Sequence, residues 1–438
     1  MAILVAQGLT NREIATRLFI SERTAESHVE QIRGKLGFRS RVQIATWVAE
    51  SLPREGGSTP STPPAERAEK PAAGSIRARF GKQVAIAAGT LVLAAALLTG
   101  LAFALIQQPA SPAPGLHAVT VAGTGVRGFS GDGGPASSSA LVRPLALAVG
   151  PGGQIYIAEG NRIREVGTDG RISTFAGTGV AGDGGDGGPA VQAQLNLPQG
   201  IAVDSAGNVY IADTLNNRVR RVGPGGTITT VSGTGEAGYS GDGQSGPQAR
   251  LNLPTGLAIG FGDSLFIADT GNNVVRRLEP DGVIQTVVGT GDAGYRGDGF
   301  DALSALLHAP GGVAFDDEGN LYIADTLNQR VRRVDVRGQI QTVAGTGEPG
   351  YLGDGGPAGY AELNLATNPL EGMGQGLAVD SQGDVLIADA LNHRVRRLDV
   401  KGVITTIAKV STPLGVAVDA EGAVYVADGD GNRVFRLA

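Results

Sequence analysis

Residues 200–235 read GIAVDSAGNVYIADTLNNRVRRVGPGGTITTVSGTG, and this stretch contains the pattern that decides the fold. The pattern recurs throughout residues 117–438, and each copy has an acidic residue in its I-A-D step. These residues are Glu159, Asp213, Asp269, Asp325, Asp389 and Asp428. Each copy offers four short runs of alternating apolar residues, separated by turns rich in Gly, Asp and Asn. This arrangement is typical of short β-strands joined by tight turns.

Six units of four strands, at a spacing near 56 residues, predict a β-propeller. The two ends of the repeat region agree with a closed ring. A fourth strand without its own unit, 118–122, opens the first copy, and the last copy stops after a third strand, 434–437. We expect 118–122 to complete the last sheet, which leaves no open edge.

The repeats resemble NHL repeats in the segments P-x-G-(I/L/V)-A-V-D, G-N-(L/V)-Y-I-A-D, N-x-R-(V/I)-R-R and T-V-A-G-T-G. The resemblance covers 117–438 and implies a six-bladed NHL-type propeller. Trp-Asp repeats are excluded because Trp47 is the only tryptophan. The recurring G-T-G-x-x-G matches a dinucleotide fingerprint, but it leads into glycine-rich loops and not into a helix, so we expect no cofactor.

Composition supports this reading of the C-terminal part. The chain has 438 residues and 70 glycines, about twice the average frequency, as many tight turns require. With no cysteine, a disulfide scaffold and a thiolate zinc site are excluded. Residues 1–83 have 13 basic and 8 acidic residues, a net charge of +5; residues 84–438 have 23 and 34, a net charge of −11.

Two series of aspartates are expected on one face of the propeller. The first series ends the second strands: Asp213, Asp269, Asp325, Asp389 and Asp428. The second lies in the loops that join the units: Asp132, Asp186, Asp242, Asp298 and Asp354. One interpretation is an acidic face that binds a cation or a sugar. The alternative is that each aspartate caps a turn or pairs with a repeat arginine such as Arg218, Arg330 or Arg394.

Catalysis is not predicted. Some propellers related to NHL repeats are amidating lyases or lactonases, whose metal centres need converging histidines or carboxylates. Here His117, His308 and His393 share no repeat position, and no Ser/His/Asp pattern is present. The stretch 428–432 lacks the glycine and glutamate of a calcium loop. We therefore expect no catalytic residue and no metal, and keep an anchored lyase or lactonase as the weakest alternative.

Residues 1–50 predict a small all-α domain. Thr10 and Glu13 form a capping box, and Ser21 and Ser40 mark two further helix starts. Two helices separated by a short turn make a helix-turn-helix. The stretch GLTNREIATRLFISERTAESHVEQIRGKLGFRSRVQIATW closely resembles the LuxR-type helix-turn-helix.

This resemblance implies that residues 21–36 form a recognition helix in the DNA major groove. The implied DNA contacts are Thr10, Asn11, Arg23, Thr24, Glu26, Ser27, Glu30 and Lys35. Two features depart from the family. The chain begins within the family's first helix, which predicts a truncated domain or a misassigned start codon. Glu26 and Glu30 also place negative charge near phosphates, so a domain with weak or no DNA binding is an alternative.

Residues 84–106, VAIAAGTLVLAAALLTGLAFALI, carry no charge. As a helix these 23 residues would extend about 34 Å, against a hydrocarbon core of about 30 Å. The sequence therefore predicts one transmembrane helix, between a disordered linker at 51–83 and a stalk at 107–116. Basic residues at its N-terminal end predict a cytoplasmic N-terminus and an extracytoplasmic propeller in the inner (cytoplasmic) membrane.

Taken together, these features predict a membrane-anchored one-component transcription regulator, homodimeric when active. Its propeller would bind an unknown extracytoplasmic ligand or protein, and its N-terminal domain would bind DNA. The alternative is a cell-surface NHL interaction module whose DNA-binding domain is vestigial.

Overall fold

The computed structural model describes residues 116–365 and 376–437, together with Thr10 and Val29. Contacts divide the chain into two units, 1–86 and 87–438. The described part of the second unit forms six antiparallel sheets, which are the six blades of a propeller. The predicted propeller is therefore confirmed.

The strands follow the repeat. Strand β1 (Ala118–Ala122) precedes blade 1, which consists of β2 (Pro144–Val149), β3 (Ile155–Glu159), β4 (Arg162–Val166) and β5 (Ile172–Ala176). Blade 2 consists of β6 (Pro198–Val203), β7 (Val209–Asp213), β8 (Arg218–Val222) and β9 (Ile228–Ser232). Blade 3 consists of β10 (Gln244–Ser245), β11 (Pro254–Ile259), β12 (Leu265–Asp269), β13 (Val274–Leu278) and β14 (Val283–Val288).

Blade 4 consists of β15 (Phe300–Asp301), β16 (Pro310–Phe315), β17 (Leu321–Asp325), β18 (Arg330–Val334) and β19 (Gln339–Ala344). Blade 5 consists of β20 (Gly356–Pro357), β21 (Leu377–Val379), β22 (Val385–Asp389), β23 (Arg394–Leu398) and β24 (Val403–Lys409). Blade 6 consists of β25 (Pro413–Val418), β26 (Val424–Asp428), β27 (Arg433–Leu437) and β1.

Short 3-10 helices occupy two kinds of connection. In the loops between blades they are Ala136–Ser138, Ala190–Gln192, Gly246–Gln248, Ala302–Ser304 and Ala358–Tyr360. After the second long strand of a blade they are Thr214–Asn216, Thr270–Asn272, Thr326–Asn328 and Ala390–Asn392, and Phe261–Asp263 lies between β11 and β12. We call the face that carries the inter-blade loops the loop face. The opposite face carries the hairpins that join the first long strand of a blade to the second and the third to the fourth, and we call it the turn face.

The ring closes as the sequence predicts. Strand β1 pairs with β27 in antiparallel register, with Thr120 opposite Phe435. The third strand of blade 6 begins at Arg433, one residue before the predicted start. The first and last strands of the propeller thus share one sheet.

The inter-blade loops also cover part of each outer edge. In blades 3, 4 and 5 a two-residue strand from the preceding loop pairs with the outermost strand. In blades 1 and 2 single bridges, Pro135 to Arg171 and Pro189 to Thr227, take that place. Blade 6 has no such loop because only residues 410–412 separate β24 from β25. Its outer edge is uncovered within the described part of the chain.

The apolar core lies between neighbouring blades. Alternating residues of each strand point to opposite faces of the sheet, so both faces of a blade are buried against its neighbours. Between blades 2 and 3, for example, Ala212 and Val219 pack with Leu251, Leu257 and Ile267, all of them buried.

The propeller axis is tightly packed. A Cβ at Gly200 would lie 1.9 Å from the carbonyl oxygen of Thr255, and one at Gly256 would lie 2.3 Å from that of Gly311. The cavity that remains between the innermost strands has a volume of about 40 Å³. Glycine in these strands is therefore required by close approach of the backbones.

Two predictions made from residues 1–116 need correction. No helix among the described residues is long and apolar enough to cross a membrane. The predicted span, 84–106, and the predicted helix-turn-helix, linker and stalk lie almost wholly outside those residues. An uncharged run meets the length requirement for a span, but that length alone does not establish one. The fold class that included a transmembrane helix is corrected: residues 116–365 and 376–437 form an all-β six-bladed propeller, and no described helix spans a membrane. The single-pass inner-membrane localisation is corrected with it.

We predict that Gly200→Ala destabilises the propeller by about 1–3 kcal/mol, because its methyl group would collide with the backbone of blade 3. Gly225→Ala is the matched control, since no atom lies within 4 Å of a Cβ there, and we expect a change of at most about 0.5 kcal/mol. The measurement is the free energy of unfolding in urea. Equal stability of the two variants would contradict the tight packing at the axis.

Candidate functional site

The loop face is organised around buried arginines, one in the third long strand of each of blades 1–5. Their side chains have no exposed surface: Arg164, Arg220, Arg276, Arg332 and Arg396. In blade 2, Arg220 Nη2 lies 2.7 Å from Asp186 Oδ1, and Arg220 Nη1 lies 3.2 Å from Asp213 Oδ2. One guanidinium thus joins a carboxylate of the inter-blade loop to the carboxylate that ends the second strand.

The same bridge recurs in the other four blades. The distances from arginine to the loop carboxylate are 2.5 Å to Asp132, 2.5 Å to Asp242, 2.7 Å to Asp298 and 2.7 Å to Asp354. The distances to the strand carboxylate are 2.9 Å to Glu159, 3.9 Å to Asp269, 3.1 Å to Asp325 and 3.6 Å to Asp389. Nine of the ten predicted face aspartates therefore contact a buried arginine.

The strand carboxylates are also held by neutral donors. Asp213 Oδ1 accepts the backbone N–H of Asn196 at 2.7 Å, and Asp213 Oδ2 accepts Asn216 Nδ2 at 2.8 Å. The 3-10 helix Thr214–Asn216 follows Asp213. The next residue, Asn217, has a left-handed backbone, a conformation that asparagine tolerates. The carboxylate therefore fixes both the inter-blade loop and the turn after β7.

In blade 2 the strand carboxylate and the loop carboxylate have pKa values shifted in opposite directions. Desolvation raises the pKa of Asp213 to about 6 and that of Asp269 to about 7, although amide donors and arginine oppose the effect. Partial burial would also raise the pKa of Asp186, but the neighbouring Thr230 and the charge and hydrogen bonds of Arg220 outweigh it and lower that pKa. The loop carboxylate is thus the stronger counter-ion of the buried guanidinium, as its shorter distance also indicates.

The arginines named from the sequence lie two residues before the buried ones. Arg218 is half-buried and binds Asp183 at 2.7 Å and the carbonyl oxygen of Thr234 at 3.0 Å. Arg330 donates to the carbonyl oxygen of Thr346, while Arg394 lies 3.9 Å from Asp354. Of the arginines named as examples of the pairing alternative, Arg394 contacts a face aspartate, but the shorter contacts come from the arginine two residues later in each strand.

Blade 6 departs from this arrangement. Phe435 stands where the other blades have the buried arginine, and the blade has no inter-blade loop to supply a second carboxylate. Asp428 instead accepts the backbone N–H groups of Thr412, at 2.9 Å, and Gly431, at 3.1 Å. In the sequence, blade 6 lacks both the inter-blade loop and the arginine at the position of Phe435. This joint absence is the signal that could have identified the arginine at that position as the partner of the loop aspartate.

Aromatic side chains that the sequence analysis missed lie over the arginines of the loop face. The guanidinium of Arg162 is 3.8 Å from the ring centre of Phe129, and that of Arg330 is 3.7 Å from the ring centre of Tyr295. Tyr239 and Tyr351 occupy the same loop position in blades 3 and 5. All four rings are exposed. They give the loop face an apolar surface suited to contact with another molecule.

The histidines do not converge. His308 lies in the loop before blade 4, and its backbone N–H binds Asp325. His393 ends the 3-10 turn of blade 5 with a left-handed backbone, and its ring contacts the carbonyl oxygen of Ser411. In the part of the chain that the structure describes, no group of three or more His, Cys, Asp or Glu could hold a metal ion. The expectation of no catalytic residue stays a prediction.

Most of the implied DNA contacts cannot be placed. Thr10 is exposed, and Val29, which lies within the implied recognition helix 21–36, is helical and buried. Asn11, Arg23, Thr24, Glu26, Ser27, Glu30 and Lys35 lie outside the described residues.

Comparison with known proteins assigns the two ends of the chain to two different protein families. Residues 1–48 match the bacterial regulatory proteins of the luxR family. Residues 181–240 and 290–350 match the Teneurin NHL domain, and residues 375–398 match the NHL repeat. The chain therefore carries a LuxR-type domain and NHL repeats.

The curated relatives are much longer proteins. Human Teneurin-1 is 26% identical over 348 residues, which cover 60% of this chain and 12% of Teneurin-1. Mouse Teneurin-4 is 33% identical over 238 residues, which cover 48% of this chain and 8% of Teneurin-4. Among solved structures, an auxiliary nutrient binding protein from Bacteroides thetaiotaomicron aligns with a TM-score of 0.51 and 15% identity, over 73% of this chain and 76% of that one. This last likeness shows the fold alone.

We predict that Arg220→Met lowers the free energy of unfolding by about 3–5 kcal/mol, because it leaves a buried carboxylate without its counter-ion. Arg221→Met, at an exposed position of the same strand, is the control, with an expected change of at most about 0.5 kcal/mol. Urea unfolding of both variants checks the prediction. A cost for Arg220→Met no larger than that for Arg221→Met would contradict it.

The raised pKa of Asp213 predicts a pH effect with a defined sign. Because the folded pKa, about 6, lies above the ordinary value of 3.8, the folded state binds this proton more tightly than the unfolded chain does. The contribution of Asp213 to stability therefore increases as the pH falls from above 7 towards 4. NMR titration of the side-chain carboxyl carbon should give a midpoint near 6 for Asp213 and one below 3.8 for Asp186. A reversed order of the two midpoints would contradict the assignment.

Proposed function

We propose that this protein is a transcription regulator in which the LuxR-type domain binds DNA and the propeller binds the ligand or protein partner that regulates it. The observation that carries the proposal is the presence of a luxR-family match at 1–48 and an NHL propeller in one chain. The two parts supply complementary chemistry, because the first is basic and the second is acidic. The acidic propeller is unsuited to phosphate contact, so DNA binding falls to the N-terminal domain.

Dimerisation is part of the proposal. A helix-turn-helix reads a short half-site, and two linked copies bind two half-sites with much greater affinity than one. A propeller that changes the association of two chains would therefore regulate DNA occupancy without touching DNA. Arg23, Glu26, Ser27 and Glu30 are the proposed base-facing residues, and Thr10, Asn11, Thr24 and Lys35 the proposed phosphate contacts.

A second candidate is a protein-interaction module that works without its DNA-binding domain. It is favoured by the match of two propeller segments to the Teneurin NHL domain and by the exposed aromatic rings of the loop face. Removal of residues 1–50 separates the two candidates. Unchanged biological activity after that removal favours the interaction module, and loss of regulated transcription favours the regulator.

The regulator predicts salt-dependent binding of the full chain to its promoter DNA. We expect Lys35→Ala to reduce the slope of log affinity against log salt concentration by about 0.9, as the loss of one phosphate contact requires. Lys401→Ala is the control, since Lys401 lies on a turn of blade 5. The measurement is fluorescence anisotropy over a salt series. Absence of DNA binding even at low salt would overturn the proposal.

A further inference from the structure

A groove on the turn face, between blades 4 and 5, has the dimensions of a small-molecule site. Its volume is about 460 Å³, within the range of known ligand pockets. The floor is formed by Tyr322, Val343, Val385 and Leu398, and the rim by two turns, 316–320 and 399–402. We call it the blade 4–5 groove.

The rim has a net negative charge. Four carboxylates line it, those of Asp316, Asp317, Glu318 and Asp399, against the guanidinium of Arg333 and the ammonium group of Lys401 in the turn 399–402. Asp316 is used within the fold, since it accepts the N–H groups of Glu318 and Asn320, at 3.0 and 2.8 Å. Asp317 and Glu318 are exposed at the mouth. The groove therefore combines an apolar floor with an anionic entrance.

This charge is not a feature of the repeat. In blade 4 the turn between the first two long strands contains Asp316, Asp317 and Glu318 in succession. The corresponding triplets in blades 1, 2, 3, 5 and 6 are GPG (150–152), DSA (204–206), GFG (260–262), DSQ (380–382) and DAE (419–421). Since no other blade has three carboxylates there, the structural role of the turn does not require them.

The equivalent groove between blades 3 and 4 is occupied by an aromatic ring of the chain itself. Phe261 occupies in blade 3 the position of Asp317 in blade 4, and its ring reaches across to blade 4. A Cβ at Gly319 would lie 2.9 Å from Phe261 Cε2 and 3.3 Å from Val336 Cγ1. In the blade 4–5 groove the equivalent glycine and valine are Gly383 and Val400, and among the described residues no aromatic ring lies over them.

We propose that the blade 4–5 groove binds a small organic cation, an amine or amidine on a flat apolar body. The body takes the place over Gly383 and Val400 that the Phe261 ring has over Gly319 and Val336. The cationic group lies at the mouth against Asp317 and Glu318. This inference deepens the proposed function by naming the ligand class of the propeller, and only its regulatory consequence rests on that function.

The test uses the full chain, without DNA, and 2-phenylethylamine as the probe. Isothermal titration calorimetry compares it with 2-phenylethanol, which has the same body and no charge. We expect the amine to bind at least about tenfold more tightly at low salt, and the difference to shrink as salt is added. Equal affinity of the amine and the alcohol would overturn the proposal.

Two variants locate the site. Asp317→Phe should abolish amine binding, because it places in this groove the ring that Phe261 places in the neighbouring one. Asp317→Asn should weaken binding by about tenfold while the groove stays open. Glu421→Gln, at the position of Glu318 in blade 6, is the charge control and should bind as the unaltered chain does. Thermal unfolding of each variant checks that the propeller is intact.

The remaining outcomes are also decisive. Unchanged amine binding by intact Asp317→Phe would overturn the location of the site. Binding of a lysine-rich peptide with no binding of the amine would assign the groove to a protein partner and overturn the small-molecule assignment. Because DNA is absent, failure here leaves the proposed regulator standing, and failure of DNA binding leaves this site standing.

Discussion

The buried arginine of the third strand is the group on which the rest of the propeller depends. A guanidinium with no exposed surface must be neutralised, since an unpaired buried charge costs several kcal/mol. In blades 1–5 one carboxylate comes from the same sheet and the other from the inter-blade loop. If the inter-blade loop moved away from the sheet, the buried arginine would lose one of its two carboxylates. The long glycine-rich connections are therefore fixed to the sheets they cross. Blade 6, with Phe435 and no loop, shows that loop and arginine are present or absent together.

The repeat period and the turn residues suffice to predict six blades, their strands and the closure by 118–122, because these depend on local pattern and on the need to leave no edge. The partner of a buried side chain is harder to predict, because it can come from a loop outside the sheet. Arg218 lies directly opposite Asp213 across the hairpin, so cross-strand reasoning favours that pair. The buried partner is Arg220, on the same face of β8, because Asp186 arrives from a loop that the pattern of β7 and β8 does not contain.

This network changes how repeated acidic residues are interpreted. A carboxylate that recurs in blades 1–5 and pairs with a buried arginine in each has a structural role that explains its repetition. Residues that could give one site its specificity are therefore those at which the repeat is broken. Asp183 replaces the aromatic ring of the loop face in blade 2, and Asp317 replaces Phe261 on the turn face. Such positions can differ between blades without loss of the fold, whereas within blade 2 Arg220 and Asp213 are each needed to pair the other's buried charge.

The position of β1 sets blade 6 apart from the other blades. Strand β1 is the first strand after the N-terminal region, and it is held in blade 6 by its pairing with β27. Blade 6 has neither the arginine bridge nor a loop across its outer edge within the described residues. Pairing with β27 alone therefore holds β1 in its sheet, whereas in blades 1–5 the outermost strand is also bridged by the preceding inter-blade loop. The sheet that closes the ring is thus built from both ends of the propeller and without the arginine bridge that fixes the loops of the other five blades.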